Sequence, residues 1–415
     1  MIGAPPGGGG SSAGTATITP LGSVVIDGTS HELVDETITA SAGNTSGVLV
    51  INAGRASLTD VDVSTTGDSS STDESSFYGL NAGVLATSGS TITMSAGAVT
   101  TTGVGANGVF ANGEGTAVTI EGTKIDATGA AAHGIMASGG GSITATDLEV
   151  TTAGSNAAAV ATDRGGGTII VKGGRYATAG ADSPGLYSTG TLDVTGATVN
   201  STGAEAVVIE GSNTVVVADS TLSGAKKRGV MIYQSMSGDA SGSKGAITIT
   251  GGSLAQAEGP LLFVTNATGM ITLDGVDLDA ASGTLLDVAA ADWGTSGSNG
   301  GIATLTTTGQ TLAGDVVVDE ISTATINLTS GSALKGAIDA AGTAKSVSLA
   351  LDATSTWTVT ADSHITVLDD TVAIKGTTIT NIIGNGHTVR YDAATNAALG
   401  GKSYALAGGG TLEPA

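Results

Sequence analysis

The sequence predicts an all-β chain wound into a single-stranded, right-handed parallel β-helix, a solenoid with three short strands per coil of about 25 residues. Three observations carry this. Glycine supplies 67 of the 415 residues and charged residues only 12%; because a glycine costs roughly 1 kcal/mol in a helix interior, long helices are excluded. A motif of one small residue followed by apolar residues recurs at Gly83, Gly108, Gly134, Ala158, Gly185, Ala206, Gly229, Pro260 and Thr284, at intervals of 25, 26, 24, 27, 21, 23, 31 and 24 residues. Each interval also holds two further short β-type segments, such as Thr91-Ile-Thr-Met and Ala98-Val-Thr, bounded by Gly, Asn, Ser or Asp. That leaves no length for a crossover helix. Strands this short bury a core only by pairing with their equivalents one unit later, and parallel crossovers are right-handed.

In chain order, residues 1–16 read as a flexible Gly/Ser-rich lead-in of the kind left after a secretory signal is removed. Residues 17–46, with Val24-Val-Ile-Asp-Gly and His31-Glu-Leu-Val-Asp-Glu, read as an N-terminal cap over the open core. Residues 47–310 are the regular coils. Residues 311–415 continue them and end in a C-terminal cap, since Ile326 and Leu349 keep a coil-like spacing of 23.

Two apolar columns follow the anchors. The first is Val84, Val109, Ile135, Ala159, Leu186, Val207, Val230, Leu261 and Leu285, and the second is Leu85, Phe110, Met136, Val160, Tyr187, Val208, Met231, Leu262 and Leu286. Strict two-residue alternation cannot bury both. The favoured reading is a bend that turns both inward. The alternative is an exposed apolar stripe suited to lateral self-association.

Composition narrows the function classes. With 37 acidic against 14 basic residues the net charge is −23, which repels phosphate backbones, so no nucleic-acid partner is expected. No apolar run approaches the 18 or so residues needed to span a bilayer, so no membrane insertion is expected. There are no cysteines, and His31, His133, His364 and His387 lack metal-ligand spacing. Neither a metal nor a cofactor is expected. No catalytic residue is assigned: Asp369-Asp370 and Gly386-His387 read as turn and cap residues, because the Arg-x-Lys that accompanies them in β-helical hydrolases does not occur.

The candidate binding residues come from the insertions. The coil begun at Gly229 carries a surplus near Ser235–Gly245, and the coil begun at Thr284 one near Ala291–Gly301. On the corresponding turn lie Asp163, Arg164, Glu210, Tyr233, Gln234, Asp292 and Trp293. Aromatic rings stack on the C–H faces of sugars while amides, hydroxyls and charges take their hydroxyl groups. This edge therefore points to a glycan or surface ligand. An ice-binding face would need one outward Thr in successive coils, and Thr93, Thr119, Thr144 and Thr248 are read as interrupted by Val and Asp.

Two segments carry a family resemblance. Ala353-Thr-Ser-Thr-Trp-Thr-Val-Thr-Ala-Asp-Ser-His resembles bacterial surface β-helices, including adhesin and autotransporter passenger domains, and Gly224-Ala-Lys-Lys-Arg-Gly-Val-Met-Ile-Tyr-Gln-Ser-Met-Ser-Gly-Asp is similar to a stretch of secreted β-helix proteins. The 415 residues are read as carrying no amphipathic translocator barrel of the autotransporter kind, so secretion by that route is not expected. The resemblance implies a protein that is secreted or on the bacterial cell surface, with an adhesin-like binding role. The alternative on the same fold is a polysaccharide-active lyase or glycoside hydrolase.

Overall fold

The computed structural model describes residues 20–235 and 237–415. The expected lead-in, 1–16, lies outside them, as do residues 17–19 of the expected N-terminal cap. The chain is 52% strand, with parallel sheets stacked as a right-handed-type β-solenoid of about 16 turns and three strands per coil. It divides into two compact units, one running up to Val216 with Ser220–Lys226 and Ser235–Gly242, the other comprising Val217–Asp219, Lys227–Gln234 and Ser243–Ala415.

In the first unit, Leu21–Asp27, Ser30–Val34 and Thr37–Ala40 already make one full coil and pair in parallel with Thr45–Ile51, Arg55–Thr59 and Asp62–Thr65. The regular coils follow in strict register. Val84, Val109, Ile135, Val160, Leu186 and Val207 stack on one another, as do Val99, Ile125, Val150, Tyr176 and Val199. Small residues are required where faces meet. A Cβ on Gly83 would lie 2.5 Å from Val99 Cγ1, and one on Gly154 only 1.9 Å from the Gly129 carbonyl oxygen. On the second face Ser57, Thr93, Thr119 and Thr144 form one outward column before Ile170 and Asp193 interrupt it.

The outer apolar column departs from the expected bend. The strands alternate, so Val84 and Ala86 face the core while Leu85 faces out. Leu49, Leu85, Phe110, Met136 and Ala161 form a separate cluster with Ala82 and Ala158, against which Ile51 and Tyr187 pack. The cluster is not exposed either, because the chain covers it. A short helix, Thr72–Tyr78, absent from the sequence expectation, starts at Ser71, whose side chain accepts the Glu74 N–H, and ends at Gly79 with φ 75°. A Cβ on Gly79 would lie 2.6 Å from Leu85 Cδ1 and 2.9 Å from the Phe110 ring. The helix end therefore sits directly on the outer column. Asn112 Nδ2 and the Ser138 hydroxyl both donate to the Phe77 carbonyl, at 3.0 and 2.7 Å.

The column assignment also shifts by one residue at three coils. Val160, Leu262 and Leu286 occupy the inward positions expected for Ala159, Leu261 and Leu285. Each lies in a run of like residues, Ala157-Ala-Ala-Val, Leu261-Leu or Leu285-Leu, that carries no local mark of register.

In the second unit the same three-strand coil persists through Val230–Tyr233, Leu262–Thr265 and Thr284–Val288 on one face and Lys244–Thr250, Thr268–Asp274, Ile302–Thr308 and Thr323–Thr329 on the next. On its outer column the Arg228 guanidinium lies 4.3 Å above the Phe263 ring centroid. Trp357 is fully buried and donates its indole N–H to the Gly336 carbonyl at 2.9 Å. Near the C-terminus Tyr404–Ala407 and Thr411–Pro414 pair antiparallel, which ends the parallel stacking. Among the described residues no helix is long and apolar enough to cross a membrane.

The Gly129–Gly154 contact generates a prediction. Gly154→Ala is expected to destabilise the protein by about 1–3 kcal/mol, because the methyl meets backbone that cannot yield. Gly122→Ala, where a Cβ would meet no atom within 4 Å but the backbone φ is +58°, serves as a comparison for backbone strain without a clash, in denaturant unfolding of both variants.

Candidate functional site

The residues singled out from the sequence fall into two sets, one in each unit.

In the first unit Asp163 follows the strand Val160–Thr162, and its carboxylate accepts the backbone N–H of Arg164 at 2.7 Å. The turn closes as the Gly166 N–H donates to the Asp163 carbonyl at 2.9 Å. Asp163 is buried and Arg164 is exposed. Glu210, at the end of Val207–Glu210, is only 2% exposed. It is fully engaged: the Tyr187 hydroxyl donates to Oε2 at 2.6 Å, while Ser235 and Ser237 donate to Oε1, the latter at 3.3 Å.

Ser235 and residues 237–242 hold a partner that the repeat pattern does not mark, Asp239. Arg164 donates from Nε and Nη2 to Asp239 Oδ1 at 3.2 and 2.8 Å. Its guanidinium also lies 3.7 Å from the centroid of the Phe77 ring, on the covering helix. One arginine thus joins two insertions. The far end of 235–242 is seated on Gly211 and Ser212: the Ser212 N–H donates to the Ser241 carbonyl at 2.9 Å, and a Cβ on Gly211 would lie 2.7 Å from Ala240 Cβ. Burial first, then the charges of Asp239 and Glu210, push the Asp163 carboxyl up to about 8. It is therefore mostly a neutral acid at pH 7.

In the second unit Tyr233 and Trp293 meet with ring centroids 4.9 Å apart and planes tilted by 60°. Tyr233 is 8% exposed and Trp293 half-buried. Asn299 closes the Trp293 loop by donating from Nδ2 to the Ala291 and Trp293 carbonyls at 2.7 and 2.9 Å. Gln234 is buried, and its carbonyl accepts Asn266 Nδ2 at 2.6 Å. Asp292 is exposed. The tyrosine face that a sugar would use is thus largely occupied by the tryptophan.

A better-exposed aromatic lies in the first unit. Tyr78 is 47% exposed and packs edge-on against Phe77 at 6.3 Å. The sequence signal for it was the Ser71-Thr-Asp-Glu capping box together with a Gly47-to-Gly83 interval of 36 residues, well over one coil.

Among the described residues no group of three or more His, Cys, Asp or Glu is arranged to hold a metal ion. Buried His133 accepts the Ala158 N–H at Nδ1, at 3.0 Å, and burial lowers its pKa to about 4, so it acts as a neutral core residue. No protein-family model matches the chain, and none of the curated proteins is a significant match. The class is therefore defined by architecture: a parallel β-solenoid.

Replacing Trp293 with Ala is expected to cost roughly 1–2 kcal/mol through loss of the ring contact. The loss should appear locally, as faster amide exchange across 291–299 and at Tyr233, with the coils before Val216 unchanged.

Proposed function

We propose that the protein is a secreted or cell-surface, adhesin-like β-solenoid of bacterial origin that displays a lateral binding edge for a glycan. The observation that carries this is the edge built by Tyr78, Phe77, Arg164 and Asp239. The exposed Tyr78 ring packs edge-on against Phe77, and Phe77 in turn carries an arginine whose side chain is 45% exposed yet held in place by an ion pair and that ring's face. Preordered donors beside an aromatic platform suit sugar recognition, because little side-chain entropy is lost on binding. The resemblance of residues 353–364 to bacterial surface β-helices, and of residues 224–239 to secreted β-helix proteins of unassigned function, supports the same reading. The Trp293 edge of the second unit, with exposed Asp292, is a second place where a glycan could rest.

A polysaccharide-active enzyme is favoured by one observation. Asp163 is an acid that keeps its proton at neutral pH, as a general acid must, and Glu210 is a second carboxylate within its electrostatic reach. Against it, Glu210 is enclosed by three hydroxyl groups and presents almost no surface to a substrate.

A glycan array probed with wild type, Tyr78→Ala and the Tyr233→Ala/Trp293→Ala double variant separates these readings, with thermal melts as the folding check. The expected result is wild-type binding that weakens about tenfold or more in Tyr78→Ala, corresponding to roughly 1.4 kcal/mol, without a lower melting temperature. Binding lost only in the double variant would move the site to the second unit. A wild type that binds no glycan would reject the proposal, and turnover of an arrayed polysaccharide abolished by Asp163→Asn would establish the enzyme instead.

A further inference from the structure

We infer that the second face of the coil, within the second unit, is an ice-binding surface: a two-dimensional array of outward threonines that orders water in the pattern of an ice crystal face. This goes beyond the glycan reading and does not depend on it.

The sequence alone places Thr248 in an interrupted row. The register places it at the foot of a continuous one. Thr248 stacks on Thr272 and Thr272 on Thr306, in three successive coils, with Asn327 in the fourth. The rows on either side repeat the pattern, since Thr304 stacks on Thr325 and then Ser348, and Thr308 on Thr329. Strands Ile302–Thr308 and Thr323–Thr329 therefore present hydroxyls side by side as well as one above another. No register shift interrupts these pairings. Neighbours along a row lie about 4.8 Å apart, and alternate residues of one strand about 6.6 Å apart. Rows of oxygen atoms on the prism faces of ice repeat at two distances close to these.

The chemistry of the face selects this occupant. On the strands Thr268–Asp274, Ile302–Thr308 and Thr323–Thr329 the only charged outward residue is Asp274, at the end of its strand, although the chain carries a net charge of −23. No aromatic ring stands on these strands, so the platform on which a sugar would stack is missing. Met270 and Ile302, 55% and 52% exposed, add apolar groups among the threonines. Threonine is β-branched and stiff at χ1, so each side chain holds a methyl group and a hydroxyl in fixed places. The methyls cage water and the hydroxyls anchor it. Among the described residues the hydroxyls of Thr248, Thr272, Thr304 and Thr325 have no protein partner, while Asn327 Nδ2 donates to Thr306 Oγ1 at 3.4 Å and steadies the centre of the array. One such contact with a crystal is weak. Many in register add up, because the first places the rest.

The test is ice-affinity partitioning of the full chain, with ice grown slowly from solution and a carrier protein as the standard for passive trapping. Wild type is expected to be enriched in the ice relative to the carrier, and to hold a seed crystal without growth at a temperature below its melting point. Thr306→Lys and, separately, Met270→Lys put a charge into the array and are expected to abolish both effects. Thr221→Lys, at an exposed position of a different sheet in the first unit, is expected to change neither. Thermal melts check each fold, and the exposed Met270 site decides the matter should Thr306→Lys fail to fold. Wild type left in the liquid with the carrier would overturn the proposal, as would enrichment that survives both lysines or that Thr221→Lys removes equally. Adsorption to crystalline cellulose or chitin in place of ice would assign the face to a polysaccharide, and a dimer in sedimentation that Thr306→Lys disperses would assign it to a second copy of the chain; either result also overturns it.

Discussion

Everything in this protein depends on where the backbone hydrogen bonds go. No strand pairs with its sequence neighbour in the regular coils; each gives its N–H and C=O groups to the equivalent strand one coil away, about 4.8 Å along the stack. A residue is therefore judged against the residue at the same place in the coils before and after it. Valine at 84 stacks on valine at 109, and glycine at 129 receives glycine at 154 because a Cβ would strike a carbonyl oxygen. The narrow core that results needs few aromatics. The low charge and high glycine content are consequences of the same constraint, since corners must admit a neighbour's backbone and faces must repeat.

The constraint also creates a problem on the outside. Alternation along each strand leaves Leu85, Phe110 and Met136 on the outer face, and stacking aligns them into one apolar column. Left bare, such a column would invite association with another surface. The chain covers it with its own insertion, the segment that includes the helix Thr72–Tyr78, and secures that cover with backbone acceptors for Asn112 and Ser138. Arg164, stacked on Phe77 and paired with Asp239, extends the cover to residues 235–242. The insertions thus complete the fold as well as decorate it, and the candidate binding edge is made of the same residues.

How much of this was legible in the sequence follows from the range of each signal. The coil length and the three-strand pattern repeat every 25 or so residues, so the stacking averaged out local ambiguity and the architecture could be read. The register of single coils could not be read where Ala157-Ala-Ala-Val or Leu285-Leu offered two equivalent choices. The direction of the second apolar column depended on whether the insertion at residues 66–82 folded back, and its only local mark was a capping box of four residues. Asp163, Arg164 and Glu210 were identified because they occupy corresponding places in nearby coils. Their partner Asp239 could not be, because it lies 75 positions beyond Arg164, in an insertion outside the repeat. Tyr233 and Trp293 are legible as two aromatics on one edge; whether such a pair faces a ligand or each other is decided by a loop closure, here by Asn299, that periodicity does not encode.

A chain carrying −23 net charges gains nothing electrostatically by bringing three carboxylates together, so their presence around Arg164 needs a cause. Ion pairing alone does not supply one, since a single surface arginine paired with Asp239 is worth about 1 kcal/mol at most. The hydrogen bonds do better. Glu210 accepts three hydroxyl donors, which together replace the water it has lost and hold residues 235 and 237 against the coil edge. Asp163 accepts only a backbone N–H from its own turn, which is too little to support a buried charge. The two carboxylates, two coils apart in one column, have thus been given opposite environments: one solvated by protein hydroxyls as an anion, the other left to keep its proton. That difference follows from the donors each carboxylate receives rather than from its place along the coil, which is equivalent for the two.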